Sequence, residues 1–119
     1  MSRTRHPRPA RPDASFPTLE AVFRALGDPV RLGVVLQLRR DGPCSCAVLD
    51  GGRPKSTMSH HFRVLRRAGL VLTEIRGTTH MNTLCAEAVE ARFPGLLALL
   101  DAEAEPPAEL RPPPRPSGG

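Results

Sequence analysis

Two adjacent histidines, His60 and His61, and a Cys-x-Cys pair, Cys44 and Cys46, are the side chains most able to hold a metal or move a proton. Their spacing limits both uses. Neighbouring residues on a helix point about 100° apart, so His60 and His61 do not converge on one ion; a helical ligand pair needs a spacing of three or four. No carboxylate stands in the same stretch to orient either imidazole as a base. Cys44 and Cys46 offer thiolates, good ligands for soft or borderline metals. With His6, His80 or a partner-chain residue they form the candidate metal set, for a transition ion such as zinc or nickel, but two sulfurs do not close a site. A structural role or thiol redox sensing are the alternatives. Cys85 reads as a small buried apolar residue. An enzyme is not indicated: there is no acid–base pair at useful spacing and no Gly-rich phosphate loop.

The residues around the histidines point to nucleic acid instead. From Arg53 to Arg76 there are six basic residues and one acid, a local charge of +5, equal to the net charge of the whole chain. On a helical wheel Met58, Phe62, Leu65 and Ala68 form an apolar stripe, and His61 falls beside them as a packed, hydrogen-bonded histidine at the core edge. Ser56, Ser59, His60, Arg63 and Arg67 fall on the opposite face. Arg and Lys suit phosphates, whereas Ser, His and Lys near the helix start suit base edges in a major groove. Lys55, Ser56, Thr57, Ser59, His60, Arg63 and Arg67 are therefore the candidate DNA-binding residues of this helix.

A series of short elements must carry this surface. The spacing of Leu19, Val22, Phe23 and Leu26 predicts a first helix over residues 18–26. Gly27-Asp28-Pro29 ends it and caps a second helix, which runs to about Arg39 with Leu32, Val35 and Leu36 inward. Asp41-Gly42-Pro43 is a turn. A short third helix over 44–49, the breaker Asp50-Gly51-Gly52 and a fourth helix over 54–68 make a helix-turn-helix. Strands over 70–75 and 80–84 flank the turn Arg76-Gly77-Thr78-Thr79 and form a wing. Arg76 and Thr78, at its tip, join the candidate DNA-binding residues. A last helix spans 86–102, kinked or interrupted at Pro94. The fold class is mainly α with a small β-hairpin, a winged helix-turn-helix of order α-α-α-α-β-β-α.

The ends differ in kind. Residues 1–17 hold four Pro, four Arg and one Asp, and residues 105–119 are Pro-rich; both read as disordered, the first as a basic arm. The folded domain is residues 18–104, small enough that a dimer would help complete its core. Four Phe, no Trp and no Tyr leave that core to Leu, Val and Ala. A pI near 10.4 favours an acidic partner. No apolar run approaches the roughly 18 residues of a membrane span, and three cysteines suit a reduced, cytoplasmic compartment.

Leu26-Gly27-Asp28-Pro29-Val30-Arg31-Leu32 and the segment from Ser56 to Val71, STMSHHFRVLRRAGLV, closely resemble the ArsR/SmtB family of winged-helix repressors. The resemblance covers residues 18–100. It implies a homodimer joined through the first and last helices, an inverted-repeat operator, and release by an inducer, in some members a metal ion. It also implies that Lys55, Ser56, Ser59 and His60 face the groove. One group of metal sensors in the family carries Cys-x-Cys where Cys44 and Cys46 stand. The arsenic-sensing pattern has another Cys where this chain has Leu49, and the cadmium and lead pattern draws ligands from the N-terminal arm, where this chain has His6. A second group uses Asp and His of the last helix; this one has no His, with Asp101, Glu103 and Glu105 near its end. The resulting expectation is a dimeric transcriptional repressor. Its rival is a small metal-handling or thiol-redox protein using Cys44, Cys46 and the histidines, which would have no DNA affinity.

Overall fold

The computed structural model describes residues 17–104, so the expectations for the basic arm, including His6, and for the Pro-rich tail lie outside the described residues. Six helices and three strands follow in the order α1 (Leu19–Leu26), α2 (Pro29–Asp41), β1 (Cys44–Ser45), α3 (Cys46–Asp50), α4 (Lys55–Arg67), β2 (Val71–Arg76), β3 (Thr79–Leu84), α5 (Ala86–Arg92) and α6 (Leu96–Ala104). The winged helix-turn-helix expected from the sequence is present, with two local differences.

The first difference is β1. The third helix begins at Cys46, because the Ser45 hydroxyl accepts a hydrogen bond from the Val48 amide and acts as its N-cap. Cys44 and Ser45 lie extended and pair antiparallel with Asn82 and Met81, so β3 is the centre of a three-stranded sheet ordered β1-β3-β2. The second difference is the last helix, which is two. Phe93, the residue before a proline, leaves helical geometry with φ −132° and ψ 77°, and Gly95 turns the chain with φ +98°.

The helix starts follow their caps. Thr18 accepts from the Ala21 amide, and Asp28 accepts from the amides of Val30 and Arg31 with Pro29 in the first turn. Gly69 closes α4 with φ +78°, and a side chain there would meet the Pro17 ring at 2.9 Å.

The core is aliphatic, as expected. Val22 and Ala25 of α1, Val34, Val35 and Leu38 of α2, Met58, Phe62 and Leu65 of α4, Leu70, Val71, Leu84, Val89 and the α6 leucines Leu96, Leu97 and Leu100 are buried together. Leu32 and Leu36 pack at its edge. Leu19 and Phe23, which share the periodicity of α1, are instead 45% and 54% exposed. Among the described residues no helix is long and apolar enough to cross a membrane.

Candidate nucleic-acid interface

The fourth helix has the two faces read from its sequence. Met58, Phe62, Leu65 and Ala68 are buried, and Lys55, Ser56, Thr57, Ser59, His60, Arg63 and Arg67 are exposed. Its first turn has no acidic residue and no side-chain cap, because Pro54 holds the N-cap position. The leading amides of a helix lack intrahelical partners and favour anions, so this end presents both backbone donors and the Lys55 ammonium.

The two imidazoles part company. His60 is exposed, whereas the His61 side chain is 12% exposed. Their ring centroids stand 5.8 Å apart with planes tilted by 53°, which suits no shared ion. His61 Nδ1 lies 3.2 Å from Arg31 Nη1 and 3.8 Å from the Asp28 carboxylate. A guanidinium only donates, so Nδ1 accepts. Arg31 also donates from Nε to the Ala25 carbonyl at 2.8 Å and from Nη2 to the Arg24 carbonyl at 3.2 Å. One arginine therefore ties the end of α1 and the start of α2 to the inner edge of α4. Asp28 completes the corner, its carboxyl held below the ordinary value of 3.8 chiefly by the Arg31 amide, against an opposing effect of burial and with help from the Arg31 charge. Sequence reading found the cap but missed this clamp.

The wing turns through Gly77 and Thr78, since Arg76 pairs with Thr79 across the hairpin. Gly77, first of the two turn residues, has φ +64°. Arg76, Thr78 and His80 are exposed, and Arg76 also donates to the Glu74 carboxylate at 3.2 Å. The wing is fixed to α4 by a polar chain that sequence reading did not anticipate. Arg66 donates to the Thr73 hydroxyl, Thr73 donates to the Asn82 carbonyl at 2.6 Å, and the Asn82 amide donates to the Cys44 carbonyl and to Cys46 Sγ at 3.2 Å. Asn82 is fully buried, so every element it touches is held to one geometry. Lys55 and Ser59 of α4 and Thr78 and His80 of the wing line one cleft, so the wing tip stands beside the start of α4.

The thiols are occupied differently. Cys44 is buried and donates to the Gly42 carbonyl at 3.3 Å, and Cys46 receives the Asn82 amide. Burial raises the pKa of the Cys85 thiol. Among the described residues no group of three or more His, Cys, Asp or Glu side chains is placed to hold a metal ion. Cys44 and Cys46 therefore do not fit a resident metal by themselves.

This architecture has clear relatives. A helix-turn-helix domain family matches residues 26–74. The chain is 33% identical over 82 residues to an HTH-type transcriptional regulator of Methanocaldococcus jannaschii, covering 67% of this chain and 88% of that one. It is 34% identical over 85 residues to the HTH-type transcriptional repressor SmtB of Mycobacterium tuberculosis, covering 60% and 63%. Among solved structures, an ArsR family transcriptional regulator superposes with TM-score 0.55 at 27% identity, over 71% of this chain and 91% of that one. HlyU of Vibrio cholerae superposes with TM-score 0.56 at 29% identity, over 67% and 88%. Sequence, fold and an exposed basic helix beside a wing agree, and the chain belongs to the ArsR/SmtB family of winged helix-turn-helix transcriptional regulators, which bind DNA and are not enzymes.

Proposed function

We propose that the protein is a repressor that binds an inverted-repeat operator as a homodimer in the cytoplasm. The observation that carries this reading is the outward face of α4, where Lys55, Ser56, Thr57, Ser59, His60, Arg63 and Arg67 are all exposed while the same helix buries Met58, Phe62 and Leu65. Ser59, His60 and the Lys55 side chain read base edges from the first two turns; Arg63 and Arg67 bind phosphates farther along. The uncapped α4 start takes a phosphate on its amides, and Arg76 and Thr78 bring the wing to the neighbouring backbone or minor groove.

Dimerisation is supported by Leu19 and Phe23 on α1 and Leu99 on α6, which is 63% exposed. These are apolar side chains on the two helices that the family likeness assigns to the dimer, and a second copy would cover them. Residues 18–104 thus serve as one DNA-binding and dimerisation domain.

Release by zinc or nickel through Cys44, Cys46 and His6 finds less support. Cys44 would have to leave Gly42, Cys46 would have to leave Asn82, and a third ligand would have to come from outside the described residues. The experiment for the whole reading is a gel shift and footprint on DNA from the protein's own promoter region across a salt series, with and without zinc or nickel. Salt-dependent protection of an inverted repeat is expected; protection of no site, or equal retardation of all DNA, ends the operator reading. Unchanged DNA affinity with metal ends metal release alone.

A further inference from the structure

We propose that the cleft between α3, α4 and the wing is a binding site for a small amine-bearing molecule whose ammonium is held by Asp50. The cleft has a volume of about 400 Å3, within the range of small-molecule sites. Ala47 and Asp50 line it from α3, Met58, Ser59 and Phe62 from α4, and Thr78 from the wing tip. Its wall joins apolar surface, from the buried Met58 and Phe62, to a few hydroxyls.

Asp50 gives the cleft its chemistry. The residue is 8% exposed, and its buried Oδ1 has no hydrogen-bond partner among the described residues. The neighbouring cations leave it alone. Arg53 places its guanidinium on the Asp50 main-chain carbonyl at 3.3 Å rather than on the carboxylate. Lys55 lines the same cleft, yet no ion pair among the described residues includes Asp50. A buried carboxylate oxygen without a partner is costly, and a charged donor is what most offsets the cost. A bare metal ion does not meet this need, because among the described residues no trio of ligating side chains surrounds it. An ammonium carried on a small apolar body does: the charge meets Asp50 and the body lies between the α3, α4 and wing walls of the cleft.

Such an occupant would touch the recognition helix and the wing together, at Ser59 and Thr78. It would therefore bias DNA affinity, and DNA would bias its affinity by the same factor. That consequence rests on the operator reading above, whereas binding to the cleft does not.

The test is titration of the full chain, without DNA, with 2-phenylethylamine, 3-phenylpropionate and 2-phenylethanol, following the assigned Met58 methyl resonance by NMR. The amine is expected to shift it saturably and to bind at least roughly tenfold more tightly than the acid or the alcohol, the scale of a charge-assisted hydrogen bond. Asp50→Asn should lose at least roughly tenfold in amine affinity. Ala47→Phe, at an exposed position on the wall, should block the amine without touching Asp50. Equal binding of the three probes, none at all, or amine binding that survives both substitutions overturns the proposal. A chain that binds its operator but no amine loses this site alone; one that binds the amine but no DNA loses the operator reading instead.

Discussion

At the scale of single residues, His60 and Asp28 separate reading from holding. His60 is exposed on the α4 face. His60→Ala is expected to weaken operator binding by about 1–3 kcal/mol, the scale of one base contact, and to leave thermal stability within about 0.5 kcal/mol. Fluorescence anisotropy on the operator and a melting curve check both; equal operator affinity removes His60 from base reading. Asp28 works at the inner edge of the same helix, beside His61. Its depressed pKa means that its contribution is fully present above the ordinary carboxylate value of 3.8 and is lost as pH falls through the lower folded-state value. Asp28→Ala should therefore cost about 0.5–2 kcal/mol near pH 7, as loss of an N-cap does. The gap between the variant and the native protein should narrow below about pH 4. Denaturant unfolding at the two pH values decides it: a gap that widens in acid contradicts the sign.

At the scale of elements, α4 was the most legible part of the sequence and β1 the least. A single helix carried both its apolar stripe and its basic face, so local periodicity located them together. The existence of β1 depends on pairing of Cys44 with Asn82 and Ser45 with Met81, far along the chain, and a two-residue strand has no periodicity of its own. The cap at Ser45 was the local signal that could have moved the start of α3 to Cys46. The Arg31–His61 clamp and the Asn82 hub join residues distant in sequence, so the residue types alone did not mark them. His61 was placed at the core edge by the wheel, and its partner came only from the packing of α2 on α4. The exposed C-terminal half of α4 carries the element-scale prediction. Arg67→Ala should weaken binding to operator and to unrelated DNA alike, and should lower the magnitude of the salt slope by about 1, as loss of one phosphate contact does. Affinity measured against salt concentration on both DNAs tests this; an unchanged slope, or loss confined to the operator, takes Arg67 out of the phosphate role.

At the scale of the whole molecule, the proposed homodimer turns on α1 and α6. The apolar spacing of α1 told that the helix has a greasy side, but not that Val22 and Ala25 would take the core while Leu19 and Phe23 stayed outside. Periodicity does not distinguish a residue packed in its own core from one packed on a partner, because both are removed from water in the assembly. A domain of this size buries a modest fraction of its surface, so covering Leu19, Phe23 and Leu99 would add stability as well as set the spacing of two α4 helices on successive half-sites. Phe23→Glu, alone and with Leu99→Glu, places charge on that face without touching the α4 surface. Both variants are expected to sediment as monomers at concentrations where the native chain is a dimer. They should lose more than about tenfold in affinity for the two-half-site operator, while binding a single half-site as the native chain does. Analytical ultracentrifugation and paired anisotropy titrations read these quantities. A native chain that sediments as a monomer, or a variant that remains dimeric with full operator affinity, shows that these helices do not form the dimer face.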